Sequence, residues 1–231
     1  MKAELIDEKI KQAKALVYYT VFEDINIPID EKHIHGLPKE VAKEIIQYHK
    51  QDDINRLTAG KYLLKKILLN TDFDESIFSS YQIAENGKPF IPGFHPFNIS
   101  HSGQVVACAV LLESGEIGID IERIREIEVT KFHKQFSAPE MMQILSSKNP
   151  NTTFFEYWTM KEAVMKADGR GMRIPLHNIK LRRNKATIDD LNIEWNLYPL
   201  NLHETVKSHL CTHLILSNTE IKKWELKDLL G

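Results

Sequence analysis

Along the chain the apolar positions change period several times, and each change marks an element. A charged start with helical spacing, "MKAELIDEKIKQAK", precedes the strand-like run "ALVYYTVF". In "LPKEVAKEIIQYHK" and "INRLTAGKYLLKKILLN" the Leu, Ile and Tyr positions recur at helical intervals, which predicts two helices. Residues 71–97 then read as loop and turn, punctuated by "ENGKPF" and "IPGFHPF". "FNIS" and "QVVACAVLL" predict two strands, and "IGIDIE" alternates as a half-buried strand does. "SAPEMMQIL" predicts a helix with Ser137 and Glu140 at capping-box spacing and Pro139 in its first turn. "WTMKEAVMKADGRG" predicts another, ending at Gly169 or Gly171. Strand patterns at "NIKLRR", "IEWNLYPL" and "HLCTHLILS" and a last helix at "EIKKWELKDLL" close the chain. Helices and strands mix without regular βαβ alternation, so the expected class is α+β.

Composition narrows the function. A chain of 231 residues can bury a large core, and a formal charge of −2 leaves no basic excess for general nucleic-acid binding. No apolar run is long enough to span a membrane, and the charged N-terminus is not a signal peptide. Cys108 and Cys211 lie in apolar strand runs without metal-site spacing, which fits a reducing cytoplasm.

Several side chains could carry chemistry. Asp120 and Glu122 are two apart on a strand and share a face, with Ile119 and Ile121 on the other and Gly118 open to close backbone approach. The pair is half of a hard-cation site or else a solvated sheet face; a third carboxylate is wanted, and Glu162 is the candidate. Glu162 and Lys166 lie one helical turn apart, the spacing of a surface ion pair as well as of a site. Ser100 and His101 point to opposite sides of an extended chain, so they make a poor nucleophile–base pair. They suit a phosphate or ribose, or a polar turn. Lys88 sits in the "GKP" turn, while Lys43 and Arg56 lie on helices where exposed cations are ordinary.

Taken in order, "GKPF", "FNISHSG", "GIDIE", "FSAPE" and "WTMKEAVMKADGRG" resemble the 4′-phosphopantetheinyl transferases of the long, surfactin-synthetase-activating type, from about Lys39 to about Leu216. The resemblance implies two similar α+β halves about an approximate two-fold, here 1–115 and 116–231, with coenzyme A between them and the chain acting as a monomer. The short members of the family form trimers instead. It implies transfer of 4′-phosphopantetheine from coenzyme A to a serine of an apo acyl or peptidyl carrier protein, releasing adenosine 3′,5′-bisphosphate. The carrier would serve fatty-acid, polyketide or nonribosomal-peptide synthesis.

By the same resemblance Asp120, Glu122 and Glu162 bind Mg²⁺, with Mn²⁺ as a substitute, and the ion is shared with the pyrophosphate, making Asp120 a cofactor contact too. Glu162 is then the base for the acceptor serine, directly or through water, and Lys166 faces the same phosphates. Lys161 lies near the cofactor, Ser100 and His101 toward the 3′-phosphate, Lys88 on a phosphate, and Lys43 and Arg56 at the nucleotide end. Where some members carry a further lysine three residues before Lys43, this chain has Glu40. Two other readings compete: a catalytically silent coenzyme A or carrier binder, and a Mg²⁺-dependent phosphohydrolase using water.

Overall fold

A computed structural model describes residues 13–231, so the helix expected at the N-terminus lies outside the described residues. The first strand, β1 (Ala13–Val21), is followed by α1 (Glu31–His35), α2 (Lys39–Ile46) and the long α3 (Gln51–Leu69). The loop expected at 71–97 contains a 3₁₀ turn at Glu75–Ser80 and a two-residue hairpin, β2 (Gln82–Ile83) with β3 (Pro89–Phe90). Strands β4 (Phe97–Ser102), β5 (Val105–Leu111) and β6 (Ile117–Arg123) follow. Then come α4 (Ala138–Ser146), α5 (Pro150–Asp168), β7 (Ile179–Arg182), β8 (Lys185–Ile188), β9 (Glu194–Pro199), β10 (Val206–Thr212), β11 (Leu216–Lys223) and α6 (Leu226–Leu230). The mixture is α+β.

One sheet runs β11-β1-β5-β4 and the other β6-β10-β9-β8-β7. The arrangement β1-β5-β4 with α3 recurs as β6-β10-β9 with α5, each helix spanning 19 residues. Alternation assigns the faces. Ala13, Ala15, Ala107 and Ala109 pack against Ile117, Ile119, Ile121 and Leu210 in a core between the sheets. Small residues on one side and branched residues on the other let the two faces approach closely. The opposite faces carry the helices: Tyr18, Val106, Cys108 and Val110 meet Leu63, Leu64 and Ile67 of α3.

The C-terminal segment departs from its expected form. "EIKK" is strand, because β11 pairs in parallel with the free edge of β1, from Ala13↔Leu216 to Tyr19↔Lys223. A row of backbone hydrogen bonds there outweighs local helical spacing, and α6 keeps only five residues. The run "HLCTHLILS" accordingly breaks between Thr212 and Leu216, where the chain crosses from one sheet to the other. Strand β8 was not expected. Its "KATI" buries Ala186 and Ile188 alternately, and the turn before it holds Arg183 at φ 54°.

Candidate active site

Gly118 fixes the site. A Cβ there would lie 2.1 Å from the carbonyl oxygen of Ala163 and 2.4 Å from the amide nitrogen of Ala167, so the backbone of α5 rests directly on β6. Glu162 and Lys166 immediately precede those two contact residues. They therefore flank the strand face that carries Gly118, Asp120 and Glu122. The helix is well ended. Gly169 takes the left-handed conformation at φ 85°, and its N–H donates to Met165 O. Asn86 Nδ2 donates to Gly169 O at 2.7 Å and Lys88 Nζ to Ala167 O at 3.0 Å, so the "ENGK" turn supplies a cation to the helix C-terminus.

The face expected to be solvated or metal-binding is buried at its centre. Asp120 Oδ1 accepts from Lys166 Nζ at 2.6 Å, while its buried Oδ2 has no hydrogen-bond partner. Burial pushes the Asp120 carboxyl up to about 6, although Lys166 pulls it down. The Glu162 carboxyl is pushed to about 7, first by burial and then by the Asp120 charge, with Glu122 adding to the repulsion. Glu122 is half-buried, accepts from Ser102 Oγ at 3.2 Å and lies 3.5 Å from Arg125 Nη1. Repelling carboxylates, one with an unpartnered buried oxygen, are poor packing and a good cation site.

Among the described residues no three His, Cys, Asp or Glu side chains close into a cage for an ion. The donor set nonetheless fits Mg²⁺, which takes oxygen from one or two carboxylates and keeps waters and phosphate oxygens as its other ligands.

The remaining candidates divide. Ser100 belongs to the cluster: its Oγ accepts from Lys166 Nζ at 3.0 Å and lies 3.4 Å from Asp120 Oδ1. His101 points the other way, toward α3, where burial and the positive charges of Arg56 and Lys166 push its imidazole down to about 4. Arg56 is held by Asp52 at 2.9 Å, Asp53 at 3.0 Å and the carbonyl of Gly103 at 2.9 Å. Lys88 also pairs with Glu116 at 2.7 Å. Lys43 is exposed and pairs at 2.8 Å with Glu40.

Lys161 is not brought to this cluster. It is 0% exposed, pairs with Glu140 at 3.0 Å and donates to the carbonyls of Leu176 and Ile179. Next to Glu162 in sequence, it is turned about 100° away on the helix and ties α5 to α4. The capping box of α4 forms as expected, and Glu140 joins it to this buried pair. Lys61 on α3 makes the corresponding contact with Glu44 at 3.1 Å in the other half.

Two residues of the site region were not singled out in the sequence. Asn98 and Ser102 lie on the same face of β4 as Ser100 and accept hydrogen bonds from β6 amides. Polar residues at every second position of a strand were the available signal.

The model of the 4′-phosphopantetheinyl transferase superfamily matches residues 116–217, the stretch that contains β6 and α5. The 4′-phosphopantetheinyl transferase gsp of Aneurinibacillus migulanus is 32% identical over 224 residues, covering 90% of this chain and 92% of that protein. A 4′-phosphopantetheinyl transferase of Bacillus subtilis is 34% identical over 158 residues, 66% of this chain and 69% of its own. The 4′-phosphopantetheinyl transferase Sfp of Bacillus subtilis strain 168 is 29% identical over 157 residues, with the same coverage.

Proposed function

This chain belongs to the 4′-phosphopantetheinyl transferase superfamily, and from that premise we propose how its residues divide the work. The enzyme transfers the 4′-phosphopantetheine moiety to a serine of an apo carrier protein. The donor is coenzyme A. The serine Oγ bonds to the phosphorus on the pantetheine side, the bridging P–O bond breaks, and adenosine 3′,5′-bisphosphate leaves with the electron pair. The serine proton passes to the carboxylate of Glu162. Without metal, burial and the Asp120 charge raise the Glu162 carboxyl to about 7; a bound cation offsets that repulsion and favours the ionised form that accepts a proton.

Asp120, Glu122 and Glu162 would hold Mg²⁺, with Mn²⁺ as a substitute; when bound, the ion supplies countercharge to the pyrophosphate oxygens. Lys166, over the same face, adds a second positive charge. His101 and Arg56 take the nucleotide end on the α3 side of β4. With both sheets in one chain, the enzyme works as a monomer, and the two buried free thiols suit a reducing cytoplasm.

The observation that carries this reading is the contact at Gly118, which seats Glu162 and Lys166 over Asp120 and its unpartnered oxygen. Intact-mass measurement of an apo carrier incubated with the protein, coenzyme A and Mg²⁺ tests it. Addition of the phosphopantetheine arm, abolished by a chelator, is the expected result. Coenzyme A cleaved with the carrier unmodified would make the protein a hydrolase, and both left intact would make it a silent binder.

A further inference from the structure

The two sheets are joined at the site by side chains, not by a backbone ladder. Strand β6 is an edge strand whose other neighbour is β10, so every second amide points outward without a strand partner. Three of those amides, at Ile119, Ile121 and Arg123, donate to Asn98 Oδ1 at 2.9 Å, Ser100 Oγ at 3.2 Å and Ser102 Oγ at 2.9 Å. The rungs have period two on both strands and stay in register. Asn98, Ser100 and Ser102 share the face of β4 that continues from Ala109, Ala107 and Val105 on β5.

This ladder brackets the carboxylates. Asp120 lies between the anchored amides of Ile119 and Ile121, and Glu122 between those of Ile121 and Arg123. Ser102 reaches further, because its hydroxyl lies 3.2 Å from Glu122 Oε2. Ser100 reaches Lys166 as well. Direct backbone pairing would bring two strands to about 4.8 Å, whereas side-chain rungs hold them farther apart.

We propose that Asn98 and Ser102 are positioning residues for the transfer, acting through the β6 backbone and Glu122 to aim the carboxylates at the cation. The inference rests on the functional reading above. Neither residue touches the reacting atoms, and their effect falls on metal binding and rate, leaving coenzyme A binding in the absence of metal unchanged.

The test uses the full chain with Asn98→Ala, Ser102→Ala and the conservative Ser102→Thr. Mn²⁺ affinity is measured by calorimetry at saturating coenzyme A, alongside single-turnover carrier modification and urea unfolding. Each Ala variant should weaken Mn²⁺ and slow transfer by about 10-fold or more, as loss of outer-sphere support does. Ser102→Thr, which keeps the hydroxyl, should restore both. If Asn98→Ala does not fold, Ser102→Ala at the more open end of the ladder decides the matter. A folded Ser102→Ala with wild-type Mn²⁺ affinity and rate, beside an active wild type, would overturn this inference alone. A wild type that neither binds Mn²⁺ nor modifies a carrier would overturn it together with the functional reading.

Discussion

Replacing Gly118 with alanine perturbs a direct backbone contact that sets α5 against β6. The new Cβ would sit 2.1 Å from Ala163 O and 2.4 Å from Ala167 N, both backbone atoms that no side-chain rotation can move away. Ordinary van der Waals contact begins near 3.4 Å, so the helix must withdraw by about 1.3 Å at Ala163. Overpacking of this kind costs about 1–3 kcal/mol. The functional cost is larger, because Glu162 and Lys166 ride on the same turns and move off Asp120 together. A misplacement of about 1 Å lowers rates by on the order of 10²-fold. The assay pairs urea unfolding with single-turnover carrier modification, normalised to folded protein. A Gly118→Ala enzyme with a lower unfolding midpoint and a rate down by about two decades is the expected outcome. Wild-type rate per folded molecule would refute the reasoning, since the helix would then have no fixed seat on the strand.

The other predictions separate structural from chemical roles. Lys161→Met removes one partner of a fully buried pair and leaves Glu140 charged in the core, so it should destabilise by about 3–5 kcal/mol. Adding Glu140→Gln should recover part of that loss, and coenzyme A affinity of the folded fraction should not change; a specific loss of affinity would return Lys161 to the cofactor. Stability without metal should also depend on pH. The Asp120 carboxyl is raised from 3.8 to about 6 and that of Glu162 from 4.5 to about 7, so the folded state holds protons that the unfolded chain has released. The stabilisation from these two groups is complete below about pH 4 and is lost as pH rises to about 7. Urea midpoints from pH 4 to 8 should therefore fall less steeply in Glu162→Gln than in the wild type, and identical slopes would contradict the assignment.

Much of this was legible because local patterns and tertiary contacts agree. The alternation in "IGIDIE" gave β6, and the spacing of Glu162 and Lys166 gave a shared helix face. Gly118 marked the place where another backbone comes close. What the pattern could not give was burial from outside the strand. Asp120 is buried because α5 covers it, and that cover raises the Asp120 carboxyl to about 6 and that of Glu162, on α5 itself, to about 7. The resemblance put Lys161 near the cofactor, and its neighbour Glu162 in "MKEAVMK" gives no sign that the two side chains part. The helix turns them apart, and the partner of Lys161, Glu140, lies 21 positions away. Helical spacing in "EIKKWELKDLL" likewise lost to the free edge of β1, a partner more than 190 residues distant in sequence.

The central claim is that Glu162 acts with Asp120 and Glu122 on one cation and takes the proton of the acceptor serine. Single-turnover transfer from saturating coenzyme A to an apo carrier, compared between wild type and Glu162→Gln across a Mg²⁺ titration, tests it most directly. The glutamine keeps size and helix propensity and removes only the charge. Transfer should fall by on the order of 10²-fold or more, with Mg²⁺ recovering only part of the loss because metal does not replace a base. Near wild-type rates in the glutamine variant at every Mg²⁺ concentration would contradict the account.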